Sequence, residues 1–88
     1  MIEKICSYLL KKGFRQDSSL EFSRGKRERV EISYPKDKVK VTYRVQTGEF
    51  FESAWIVLEK DGMLVEEGTG YPGLDTSILE DLKNLISK

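Results

Sequence analysis

Residues Ser53 to Gly68 constrain the fold most tightly. Ala54-Trp55-Ile56-Val57-Leu58 and Met63-Leu64-Val65 flank Lys60-Asp61-Gly62, two apolar runs joined by Asp-Gly. Asp-Gly between such runs is the strongest short-range signal for a β-hairpin, because both residues tolerate the left-handed backbone of a tight turn. With Asp61 and Gly62 as the loop, Lys60 faces Met63, Leu58 faces Val65 and Ile56 faces Glu67 on one side of the ribbon. Trp55, Val57, Glu59, Leu64 and Glu66 share the other. The first side is the more apolar and is assigned to the core. A lone hairpin is marginal in water, so the remaining chain must supply neighbouring strands and a cover.

The cover is legible at both ends. Ile2, Ile5, Cys6, Leu9 and Leu10 recur at helical spacing, predicting a helix over 2–12 that closes at Gly13. Ile78, Leu79, Leu82, Leu85 and Ile86 do the same for 77–87, opened by Ser77 and Glu80 at capping-box spacing or by Asp75 as an earlier cap. Between Phe14 and Gln46 the period is two. Leu20 and Phe22, then Val30, Ile32 and Tyr34, then Val39, Val41, Tyr43 and Val45 mark strands at about 14–23, 27–34 and 38–46, with the hairpin adding 53–60 and 63–68.

Register follows from keeping large apolar residues on one face. A three-residue loop, Arg24-Gly25-Lys26, sets Phe22 opposite Glu28 and Leu20 opposite Val30. The turn at Pro35 to Lys38 sets Tyr34 opposite Val39, Ile32 opposite Val41 and Val30 opposite Tyr43. The expected architecture is α+β and two-layered: a five-stranded antiparallel meander with the N- and C-terminal helices packed on one face. A strongly twisted sheet wrapping into a half-barrel is the alternative.

At 88 residues the chain is expected to be a single domain, with room for one hydrophobic core. With 39% hydrophobic and 34% charged residues it belongs among ordered globular proteins. The charged residues interrupting the first apolar stripe argue against a secretion signal, and no run reaches the length of a membrane span. The single cysteine cannot form an internal disulfide, which predicts a cytoplasmic protein and makes Cys6 a small buried hydrophobe.

The 15 basic and 15 acidic residues cancel, but they are not evenly spread. Arg24 to Arg44 holds eight basic and three acidic residues, a net of +5, whereas Glu49 to Asp81 holds nine acidic residues against Lys60 alone, a net of −8. The expected pairing puts Arg27, Arg29, Lys38, Lys40 and Arg44 on the outer sheet face, away from the helices. One functional reading is contact with a nucleic-acid backbone or an acidic partner, with Tyr8, Tyr71 or a Phe of the 50–51 pair at the edges. The plainer reading, a solvated face whose charges oppose aggregation, carries more weight because no aromatic is interleaved on that face in this reading.

Catalytic and metal chemistry find little material. Without histidine and with one cysteine, no ligand set for zinc exists, no EF-hand pattern suits calcium, and no spacing selects a carboxylate pair, so neither an enzyme nor a cofactor is expected. Gly68, Gly70 and Gly73 spell G-x-G-x-x-G, but no parallel strand follows and Glu66, Glu67 and Asp75 would repel a phosphate, so a strand-to-helix connection is expected. The remaining candidate is Trp55 with Val57 and Leu64 on the outer face, an apolar patch of the kind that binds a protein or a second copy. Burial of Trp55 under the 48–52 loop, or in the core through a bulge, is the competing expectation. A protein-interaction or regulatory domain, possible homo-oligomer included, is thus the leading expectation and a nucleic-acid module the runner-up; no membrane partner is expected.

Overall fold

A computed structural model of the chain describes residues 1–86. It runs α1 (Ile2–Lys11), β1 (Arg15–Ser18), β2 (Glu21–Arg24), β3 (Glu28–Ser33), a short 3-10 turn (Pro35–Asp37), β4 (Val39–Thr47), β5 (Phe50–Leu58), β6 (Leu64–Thr69) and α2 (Ser77–Ile86). The strands form one antiparallel meander in the order β1 to β6, with β1 and β6 as its edges. Both helices lie on the same face, and the α+β architecture is the one expected. Ser87, the last residue of the expected second helix, lies outside the described residues.

Helix ends follow their local chemistry. Gly13, at φ +90°, closes α1 while its N–H donates to Leu10 O at 3.1 Å and that of Phe14 donates to Leu9 O at 3.0 Å. At the start of α2 the Asp75 carboxylate accepts the Ser77 N–H at 3.0 Å, and this bond holds its pKa below the usual carboxylate value. Glu80 turns instead to Lys83, at 2.7 Å. The early cap is therefore the one used.

The core sits between the helices and the inner sheet face. Ile5 and Leu9 of α1 and Ile78, Leu79 and Leu82 of α2 are buried against Phe22, Val30, Ile32, Val41, Tyr43, Ala54, Ile56 and Leu58. The pairings Ile32–Val41 and Val30–Tyr43 are as expected. Cys6 is partly buried at the margin of this cluster.

Three local expectations are corrected. The segment 14–23 is two strands, because Arg15-Gln16-Asp17-Ser18 carries no apolar side chain to bury and doubles back through Ser19 and Leu20 as an exposed edge, making six strands. The next loop is Gly25-Lys26-Arg27, which sets Phe22 opposite Val30 and Arg24 opposite Glu28, two residues from the expected register. This pairing brings apolar groups together and gives Arg24 a two-pronged bond to Glu28, at 2.7 and 2.8 Å. Finally, the β5–β6 hairpin keeps Ile56 opposite Glu67 but shifts register after Val57, so that Leu58 meets Leu64 and Val65 is the extra residue of a bulge. The loop closes with Glu59 N–H on Met63 O at 2.8 Å and Gly62 N–H on Glu59 O at 2.9 Å. Leu64 thereby joins the inner face, where it packs on the core, and leaves the outer face to Val57.

Candidate functional site: the outer sheet face

Strand alternation sends the odd residues of β3 and β5 and the even residues of β4 to the face that no helix covers. Register then arranges them in rows across the sheet. Ser33, Lys40, Val57 and Glu66 form one row; Glu31, Thr42, Trp55 and Gly68 form the next; Ser23, Arg29, Arg44 and Ser53 form the third.

Trp55 is partly buried without being a core residue. Its indole packs against Gly68, where a Cβ would stand 2.5 Å from Cζ2 and 2.8 Å from Cε2. The ring N–H donates to Glu66 Oε2 at 3.1 Å, and Lys40 Nζ stands over the ring, 5.6 Å from its centroid. Neither a folded-back 48–52 loop nor a bulge into the core accounts for its burial; a cross-strand glycine and a lysine stem do. Val57 is 7% exposed, flanked by Lys40 and Glu66.

Of the basic residues expected on this face, Arg29, Lys38, Lys40 and Arg44 take their places. Arg27 does not: it lies exposed in the turn before β3, because the loop there is shifted by one residue. Nor is the face basic. Arg15, Arg29, Lys38, Lys40 and Arg44 share it with Asp17, Glu21, Glu31, Glu59 and Glu66. Arg44 pairs with Glu31 at 2.6 Å, Lys38 with Glu59 at 3.0 Å and Arg15 with Asp17 at 3.2 Å. A hydrogen bond from Ser23 and the Arg15 guanidinium together hold the Asp17 carboxyl below its usual value. Among the described residues, Lys40 and Glu66 make no ion pair within 4.0 Å.

Aromatics are interleaved with these charges after all. Arg44 stacks over Phe51 at 5.6 Å, as Lys40 does over Trp55, since β4 carries the cations and its neighbour β5 the rings. Toward the β4–β5 turn the end of the sheet becomes openly apolar. Phe50, 75% exposed and on the opposite side of β5 from Phe51 by alternation, lines a concavity of about 360 Å³ with Phe51, Tyr71, Thr47, Glu52, Ser53 and Gly70. Gly70 is held there by its N–H on Ser53 O at 2.8 Å, and Thr69 Oγ1 donates to Tyr71 O at 3.0 Å. Gly68 and Gly70 thus serve a tryptophan seat and a strand end. The seat was the feature missed in the sequence, although the register that pairs Ile56 with Glu67 already sets Trp55 opposite Gly68.

The inner face holds a second polar cluster. Glu28 accepts from Arg24 and, at 2.6 Å, from Tyr43 Oη, and these bonds depress its pKa. Burial, then the neighbouring carboxylate, pushes the Tyr43 hydroxyl well up. Arg24 stacks on Phe14 at 4.5 Å and donates to Lys12 O at 2.8 Å, tying α1 to β2. Nearby, Tyr8 Oη donates to Asp81 Oδ2 at 2.6 Å, joining the two helices. Every charged group in this cluster has a partner.

Among the described residues, no group of three or more His, Cys, Asp or Glu is placed to hold a metal ion, and no helix is long and apolar enough to cross a membrane. Comparison of the chain with protein-family models, with curated proteins and with solved structures returned no match.

Proposed function

We propose that this is a non-enzymatic interaction domain that binds a protein through the outer face of β5 and its strand neighbours. The observation that carries the reading is the apolar line along the uncovered side, Trp55 beside the nearly buried Val57 and then Phe51, which ends at a concavity that Phe51 shares with the exposed Phe50 and Tyr71. Aromatic side chains bury much area at little entropic cost when a partner arrives, and the surrounding charges orient it. Affinity capture from the source cell, run in parallel with the unaltered domain and a Phe51→Ser/Tyr71→Ser variant, tests this. The variant is expected to lose specific co-purifying protein while unfolding at the same denaturant concentration; an unchanged set of captured proteins would count against the reading.

A nucleic-acid module is the second reading, favoured by the stacking of Lys40 on Trp55 and of Arg44 on Phe51. The five carboxylates on the same face weigh against it, because they offset the phosphate attraction on which such binding depends. Retention on heparin or single-stranded DNA that falls steeply with salt would reverse this ranking.

A further inference from the structure

Lys40 and Glu66 are the two charges of the outer face that flank its apolar centre. They occupy one row, on either side of Val57, with backbones about 10 Å apart across two strand spacings. Neither has an ion-pair partner among the described residues. Such a row, positive, apolar, negative, is its own complement when turned over.

We propose that the protein partner of this face is a second copy of the chain, related by a twofold axis that runs along β5 between two facing sheets. The proposal rests on the protein-interaction reading above and names its occupant. Rotation about that axis preserves position along the strands and exchanges their sides, so β4 of one copy lies over the partner's β6. Lys40 then faces the partner's Glu66, and Glu66 faces the partner's Lys40. Val57 meets the partner's Val57. Trp55 leans toward β6 over Gly68, which places it against the partner's Thr42, a large side chain over a small one. Sheets packed face to face keep their strands within about 30° of each other, so the match holds at this centre and loosens toward the strand ends.

The size of the face sets the strength. Three strands, β4 to β6, overlap across this axis, because β3 falls beyond the partner's edge strand β6; with β4 nine residues long they span about 14 by 30 Å, or roughly 400 Å² on each copy. A total of roughly 800 Å² lies below the range of stable specific interfaces, and describes a weak, transient dimer.

Sedimentation equilibrium from about 10 µM to about 1 mM covers the affinities such an interface gives. The unaltered chain is expected to dimerise in this range. Lys40→Glu alone and Glu66→Lys alone each set like charges against each other twice across the axis, and each is expected to weaken self-association at least about tenfold. An equimolar mixture of the two variants pairs opposite charges at both contacts, and is expected to associate at least about tenfold more tightly than either variant by itself; the double variant Lys40→Glu/Glu66→Lys recovers a homodimer for the same reason. Folding of each variant is checked by its denaturant midpoint.

A chain that stays monomeric at about 1 mM overturns the second-copy proposal. So does a dimer that neither single substitution weakens, or a mixture no tighter than its components. These results leave the broader reading to its own assay, since captured protein lost from Phe51→Ser/Tyr71→Ser would still place some other protein on the face. Failure of both experiments removes the outer face as a binding surface altogether.

Discussion

The two faces of the sheet differ in how far their charges are paired, although Arg44–Glu31, Lys38–Glu59 and Arg15–Asp17 are ion pairs of the outer face as well. On the inner side, at the edge of the helix-covered core, Glu28 accepts from both Arg24 and Tyr43, and Arg24 donates also to Lys12 O. On the outer side Lys40 and Glu66 stand apart on either side of Val57, with no ion pair among the described residues. The difference follows from solvent. A charge that loses hydration must be bonded, as Arg24 and Glu28 are; exposed Glu66 keeps most of its water with one bond from Trp55, and half-buried Lys40 rests its ammonium near the Trp55 ring, so both remain available for a partner. The inner cluster is therefore expected to report in stability and the outer pair in association.

The largest test of this contrast is the pair Leu58→Ala and Trp55→Ala. Leu58 is fully buried between the two layers, and its truncation should cost about 2–5 kcal/mol in denaturant unfolding. Trp55 is only partly buried on the open face and should cost less, about 1–2 kcal/mol. Equal costs would make Trp55 a core residue and dissolve the distinction between the faces.

Gly68→Ala comes next. Its Cβ meets the indole at 2.5 Å, so the ring must move off its seat, at about 1–2 kcal/mol. The tryptophan fluorescence should change at the same time. A variant with unaltered emission and midpoint would show that the indole does not rest on Gly68.

Glu28→Gln should cost about 1–2 kcal/mol by weakening the bond from Arg24, a value kept modest because both side chains retain some water contact. This variant also sharpens the pH argument. Because Arg24 and Tyr43 depress the folded-state pKa of Glu28, its contribution is complete above the ordinary carboxylate range and is lost as the pH falls through that range toward the folded value. The unaltered domain should lose stability on acidification below about pH 4–5, and Glu28→Gln should lose less over the same window. Parallel acid profiles would mean that other carboxylates govern the effect.

Lys36→Gly is a small effect in the stabilising direction. Lys36 sits at φ +51° and Asp37 at φ +65°, a left-handed pair that strains any residue with a side chain. Glycine should raise stability by about 0.5 kcal/mol after its greater freedom in the unfolded chain is deducted. Smallest of all, Lys40→Ala and Glu66→Ala should leave the unfolding midpoint of the monomer within about 0.5 kcal/mol. A large loss from Lys40→Ala would show that it acts inside the monomer, by covering Trp55.

Much of this molecule could be read from residue patterns. The helical spacing of Ile5, Leu9, Ile78 and Leu82, the alternation through Val30, Ile32, Val41 and Tyr43, and Gly13 as a helix stop are local signals, and each local preference agrees with the final fold. The misreadings concern pairing. Phe22 opposite Glu28 and Phe22 opposite Val30 both keep apolar residues on one face, because a shift of two leaves every side chain on its own side. Only the bond from Arg24 to Glu28 and the contact of Phe22 with Val30 separate them.

The hairpin teaches the same lesson at the candidate site. Asp61-Gly62 announced a turn, and Ile56 opposite Glu67 followed from it. A bulge at Val65 was invisible, since it arises where Leu64 gains more by reaching Leu58 in the core than by keeping a regular ladder. That exchange moved Leu64 out of the outer patch, and the shifted β2–β3 loop left Arg27 in the turn rather than on the sheet face.

Local periodicity and turn chemistry thus determined the elements, their order and which side of each is apolar, because those depend on spacing along the chain. Tertiary structure decided what lies across from what: Trp55 on Gly68, five carboxylates among five cations, Lys40 and Glu66 flanking Val57. Neighbours from different strands are set by the summed packing of the whole sheet against two helices, a quantity that no stretch of residues carries by itself.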